Sequence, residues 1–212
     1  MTGDYFISVV TPDYISDDLY KLNKDEEATL DSLLLYGKDI KLYAKSRVVE
    51  KLEPKEEIYG RVREIAIEER DLNAFVTLSK YQKQQDKQLI IDIYKRGDIY
   101  DFIRSVRYFP DEDFFPYLTE IYEKEIQKPT GFDYPMLRNL YQVLAQYKNA
   151  ETRKIFERTL NIEFEYTRQY HTAFLWLALK KYPSPIFDGL IDGIEISDFQ
   201  RQEFDYWMDR DY

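Results

Sequence analysis

The residues able to do chemistry are few, and their spacing argues against most reactions. His171 is the only histidine and there is no cysteine. Two-histidine metal motifs, thiolate ligation and thiol nucleophiles are thereby excluded, and a serine–histidine system would rest on one imidazole. Near the start of a predicted helix, His171 reads as a cap or a half-buried polar side chain. Carboxylates cluster at Glu68-Glu69-Asp71, Asp111-Glu112-Asp113 and Glu163-x-Glu165. Glycoside hydrolysis needs two carboxylates converging in a cleft. Sequence neighbours at helix starts instead act as caps and complement the helix dipole. Asp188-Gly189 and Asp192-Gly193 lack the alternating acidic ligands of a calcium loop and read as a close helix crossing or a frayed, turning segment. Arg153, Lys154 and Arg158 share one predicted helix and read as a solvated basic face. No glycine-rich phosphate loop or His-Glu-x-x-His pattern is present. The expectation is a chain with no catalytic group, no cofactor and no metal.

The remaining candidate is the C-terminal tail. From Pro183 onward Asp188, Asp192, Glu195, Asp198, Glu203, Asp205, Asp209 and Asp211 stand against only Arg201 and Arg210. Phe199, Phe204, Tyr206, Trp207 and Tyr212 are interleaved with them. Aromatic anchors supply burial and acids supply steering, so Phe199, Glu203, Asp205, Tyr206, Trp207 and Asp209 form a candidate surface for a basic partner. The competing reading is a capping helix with an aromatic inner face and solvated acids. The overall charge of −10 points the same way. It opposes nucleic acid, whose phosphates need a basic face, and it opposes anionic membranes. It also serves solubility.

The elements that would position these residues are helices. Seven glycines and eight prolines in 212 residues are too few turn formers for an all-β fold of this size. No apolar run approaches the roughly 20 residues that cross a bilayer. The N-terminus lacks a basic stretch of the signal-peptide kind, and the cytoplasm is the default expectation. Residues 5–11 (YFISVVT), ended by Pro12, predict an extended arm. Asn23 and Glu26 form a capping box that opens a helix over 24–36, and a second is expected over 38–52. Pro54 is expected at the first position of a third, with Ile58, Tyr59, Val62, Ile65 and Ala66 as its apolar stripe. Asp71 is the expected N-cap of a fourth. Ser197 and Gln200 open a terminal helix.

One pattern recurs four times: an aromatic residue followed six positions later by tyrosine. The copies are Phe75–Tyr81, Phe102–Tyr108, Tyr141–Tyr147 and Trp176–Tyr182. Each is followed by a break and a second apolar segment, so the unit reads helix, tyrosine, short turn, helix. Six positions is about 600° around a helix, so the two residues need not share a face. The first aromatic is expected in the core, with the tyrosine at the helix end and its hydroxyl reaching the turn. The tyrosines recur after 27, 39 and 35 residues, near the period of helical-pair repeats.

On this pairing, residues 38–194 resemble a HEAT-like or armadillo-like α-solenoid. The spacing is uneven, and aromatics stand where leucine is common in that family. The resemblance implies an all-α fold, a short irregular right-handed stack of antiparallel helix pairs. An arm at 1–22, a repeat domain at 23–194 and a capping helix at 195–212 would make one domain. A compact non-repeating helical domain is the alternative. The resemblance implies a non-enzymatic scaffold or adaptor that binds a protein or peptide. The alternative function is an acidic stoichiometric inhibitor of the immunity type, which neutralises a basic toxin or enzyme.

Overall fold

A computed structural model describes residues 53–196. The arm, the predicted helices over 24–36 and 38–52, and the helix opened by Ser197 lie outside those residues. Among the described residues every regular element is a helix. The described chain divides into two compact units, one ending at Phe109 and the other beginning at Pro110.

In the first unit, α1 (Glu56–Glu68) follows an extended Lys55, two residues later than a proline-initiated start would place it. Tyr81 explains the shift. Its hydroxyl donates to the Lys55 carbonyl at 2.9 Å and accepts from the Lys55 amide at 3.1 Å. Lys55 is thus tied in a non-helical conformation. Of the expected stripe Ile58, Val62, Ile65 and Ala66 are buried, whereas Tyr59 is only half-buried and turns its hydroxyl to Asp86. In α2 (Leu72–Lys80) the Asp71 carboxylate accepts from the Ala74 amide at 2.8 Å, the expected cap. A 3-10 turn, Gln84–Asp86, leads into α3 (Lys87–Arg96). Gly97 closes α3 at φ 93°, a left-handed conformation that glycine adopts without a Cβ penalty. α4 (Ile99–Tyr108) completes the unit.

In the second unit Asp111 accepts from the Asp113 amide and opens the 3-10 turn Glu112–Phe114 that leads into α5 (Phe115–Glu125). Pro116 sits in the first turn of α5, where its missing N–H costs nothing. α6 (Tyr134–Gln146) is capped by Asp133, and α7 (Ala150–Leu160) by Asn149. α8 (Glu165–Lys181) begins five residues before Tyr170, where the sequence placed its start. The expected partner helix after Tyr182 is absent. In its place stand two 3-10 turns, Pro185–Phe187 and Ile191–Gly193. Pro183 and Pro185 withhold amide donors there, and Gly189 turns at φ 80°. Arg153 fastens the turn by donating to the carbonyls of Ile186 (2.6 Å) and Asp188 (3.3 Å).

The repeated pattern has a structural counterpart, but its phase differs from the expected one. The copies lie on α2, α4, α6 and α8. α2 packs chiefly on the preceding α1 and on α4, and only lightly on the following α3. α3 packs on α4, α7 on α8, and α6 most extensively on α8. Each copy helix is therefore the second member of its pair, and within each unit the two copy helices lie side by side. The tyrosines show why. The Tyr147 hydroxyl donates to the Asp111 carbonyl at 2.9 Å, as Tyr81 does to Lys55. Both close the helix end onto the entrance of the helix before, not onto the turn that follows. Phe75, Phe102 and Tyr141 are fully buried as expected, whereas Trp176 is only half-buried.

A buried carboxylate pins the first unit. Asp86, 1% exposed, accepts from the Tyr59 hydroxyl at 2.7 Å and from Arg63 Nε at 2.9 Å. The 3-10 turn is thereby bound to α1. Asp86→Asn keeps the shape but weakens both charge-assisted bonds. It is expected to lower stability by about 1 to 2 kcal/mol, read as a lower midpoint in urea unfolding. An unchanged midpoint would show that the turn is held by packing alone.

Candidate functional site

Phe199, Glu203, Asp205, Tyr206, Trp207 and Asp209, the partner-binding residues read from the tail, lie outside the described residues. The other sequence candidates are placed as follows. Glu68 and Glu69 end α1 in solvent, and Asp71 and Asp111 are caps. Arg153 and Lys154 pair with Glu157 and Glu151 on their own helix, and Arg158 pairs with Glu123 on α5. That basic face is therefore matched by acids. Among the described residues no group of three or more histidines and carboxylates could hold a metal, and no helix is long and apolar enough to cross a membrane.

His171 is neither a cap nor half-buried. It lies in the second turn of α8 and is fully buried. Its Nδ1 stands 2.7 Å from the Tyr141 hydroxyl. Tyr141 in turn meets Thr159 Oγ1 at 3.2 Å, and Thr159 meets the Tyr122 hydroxyl at 3.0 Å. Burial, with the Lys128 charge adding to it, pushes the imidazole down to about 4, and burial raises both phenols. A neutral His171 accepting from Tyr141 at Nδ1 fits this geometry and leaves its buried Nε2–H without a partner. Tyr122, Tyr141, Thr159 and His171 come from α5, α6, α7 and α8, so the chain of hydrogen bonds joins four helices. Tyr141 and His171 are sealed from solvent, and the chain of hydrogen bonds ties the four helices together.

A second aromatic group lies beside it at the surface. Phe132, in the loop before α6, rests edge-on to His171 and reaches outward to Tyr166 (ring centres 6.0 Å, stacked) and Tyr170 (5.8 Å). Tyr170 also meets Tyr134 at 5.0 Å and Tyr166 at 4.8 Å, and Tyr134 meets Phe174 at 6.3 Å. The hydroxyls gather too. Tyr166 donates to Tyr170 at 3.4 Å; this bond pushes the Tyr166 phenol up, while one with Tyr134 pulls it down. Tyr134 is 42% exposed, Tyr166 47%, and the neighbouring Phe164 55%. Asp133, Glu163 and Glu165 are exposed within the same two stretches.

This cluster was visible in part before the structure. Tyr166, Tyr170 and Phe174 recur every four residues, one stripe of a helix. Placing the helix start at Tyr170 hides that stripe by removing its first member. Phe132 and Tyr134 carry no such signal, because a loop and a crossing of α6 with α8 bring them in. The cluster offers stacking surface, hydroxyl groups and negative charge, without a nucleophile or a metal-ligand set. Comparison of the chain with family models, curated proteins and solved structures gives no match.

Proposed function

We propose that this chain is a non-enzymatic protein-binding scaffold of the helical-repeat type, holding a partner on the aromatic edge formed by α6 and α8. One observation carries the reading: the rings of Phe132, Tyr134, Tyr166 and Tyr170 are in mutual contact at the surface, with Tyr134 and Tyr166 more than a third exposed and Phe164 exposed beside them in sequence. Large aromatics exposed together mark interaction surfaces, since rigid rings bury much area on binding at small entropic cost. The side-by-side packing of α2 with α4 and of α6 with α8 supports a HEAT-like stacking of pairs. The charge of −10 and the acids beside the rings favour a second form of the same reading. In that form the chain is an acidic, immunity-type inhibitor that occludes a basic protein.

The test is affinity capture with wild-type protein and a Tyr134→Ala/Tyr166→Ala variant matched by circular dichroism. A partner captured by wild type and lost by the variant, with binding weakened about tenfold or more, supports the scaffold. Undiminished capture by the variant removes the aromatic edge as the binding surface. Loss of the wild-type complex at high salt selects the inhibitor form.

A further inference from the structure

The scaffold reading leaves the chemistry of the partner open, and the distribution of cations over aromatic rings addresses it. Four half-buried or exposed rings elsewhere carry a cation from this chain, whereas the half-buried Phe115 and Tyr182 carry none among the described residues. Lys83 Nζ lies 3.8 Å from the Tyr59 ring centre and Lys80 Nζ 5.4 Å from Tyr108. Arg104 lies 5.6 Å from Tyr100, and Lys180 Nζ 5.4 Å from Trp176. Among the described residues, no cation lies over Phe132, Tyr134, Phe164, Tyr166 or Tyr170. Asp133, Glu163 and Glu165 form no ion pair among the described residues, although Asp133 accepts from the Met136 amide as the cap of α6 and Glu165 accepts from Gln169 at 3.4 Å. Arg168, the base in that stretch, is turned onto the Ile162 carbonyl at 3.2 Å.

We infer that the aromatic edge is a seat for a cationic side chain, arginine above all, presented by an extended basic segment of the partner. This inference rests on the scaffold reading. The ring faces of Tyr134 and Tyr166 supply the negative quadrupole that a guanidinium stacks on. Asp133, Glu163 and Glu165 supply counter-charge at the rim, where they steer the encounter and impose salt dependence. Arginine suits the site better than lysine because its planar, weakly hydrated head stacks on a ring and still donates to carboxylates at its edge.

Fluorescence anisotropy with two labelled peptides tests this. One is an eight-residue chain alternating arginine with glycine, and the other carries citrulline, a neutral isostere, in place of arginine. The arginine peptide is expected to bind at least about tenfold more tightly. Tyr134→Leu/Tyr166→Leu retains apolar surface and net charge but removes the rings, and should erase most of that difference. Tyr134→Phe/Tyr166→Phe should preserve it. Glu163→Gln/Glu165→Gln should weaken the arginine peptide and flatten its salt dependence. Equal binding of the two peptides overturns the inference, as does full arginine binding by the leucine variant, which would reduce it to attraction toward an acidic chain. If peptide selectivity is absent while the alanine variant still loses its captured partner, the scaffold stands and the cationic seat falls. If the captured partner is indifferent to the ring variants, the scaffold reading falls first.

Discussion

Replacing Tyr141 with alanine is expected to lower the unfolding free energy by about 3 to 5 kcal/mol. The side chain is fully buried, its ring crosses Tyr122 edge-on at 6.4 Å and tilts against Phe156 at 6.2 Å. Its hydroxyl links Thr159 to His171. Truncation opens a cavity where α6, α7 and α8 meet and strands the buried His171 Nδ1, whereas Thr159 keeps the Ile155 carbonyl and the Tyr122 hydroxyl as partners. Tyr141→Phe separates the contributions: it keeps the ring, loses the hydroxyl, and is expected to cost about 1 to 3 kcal/mol. Urea unfolding followed by far-ultraviolet circular dichroism at pH 7 measures both. Equal losses in the two variants would assign the whole effect to the hydrogen bonds and sink the packing argument. Because domains of this size are stable by about 5 to 15 kcal/mol, a loss of that size is a large share of the total and should appear as a clear fall in the unfolding midpoint.

The second large effect is a loss of stability on acidification that belongs to His171. Burial and the nearby Lys128 charge push its folded-state value down to about 4, against about 6.5 in an unfolded chain. Above pH 6.5 the imidazole is neutral in both states and stability is complete. Between 6.5 and 4 the unfolded chain takes the proton and the folded one does not, so stability falls as pH falls. Near pH 4 the loss is complete, at about 3 kcal/mol. The groups around the ring agree with that sign. Tyr141 offers a hydroxyl that only a neutral nitrogen can accept, and the one charge acting on the ring, Lys128, is positive. Other carboxylates titrate in the same window, so the measurement is a comparison. His171→Gln should be less stable than wild type at pH 7, and the gap should narrow by about 2 kcal/mol by pH 4.5. Parallel curves would mean that His171 is not buried as a neutral group.

His171 also marks how far the sequence could be read. As a lone histidine near a helix start it reads as a cap, a correct rule applied to a helix that begins at Glu165. The helix gains its first turn because Thr167 and His171 have tertiary partners: Thr167 donates to the Lys128 carbonyl at 2.9 Å, and His171 bonds to Tyr141. The same five residues hide Tyr166, and with it the surface stripe that makes the candidate site. The aromatic–tyrosine copies identify four helices correctly but not which neighbour each joins. Sequence adjacency favours the following helix, whereas Tyr81 and Tyr147 bond back to the entrance of the preceding one.

What the sequence determined by itself is what short-range physics decides. The helical class follows from the scarcity of turn formers. The caps at Asp71 and Asp111, the left-handed stop at Gly97 and the apolar stripe of α1 each depend on residues within a turn or two of one another. Only the tertiary structure decided the phase of the helix pairs, the sealed Tyr122–Thr159–Tyr141–His171 chain and the aromatic edge. Each of these depends on partners 18 to 40 residues apart. Periodicity reports which face of a helix is apolar, but it holds no record of what that face will meet.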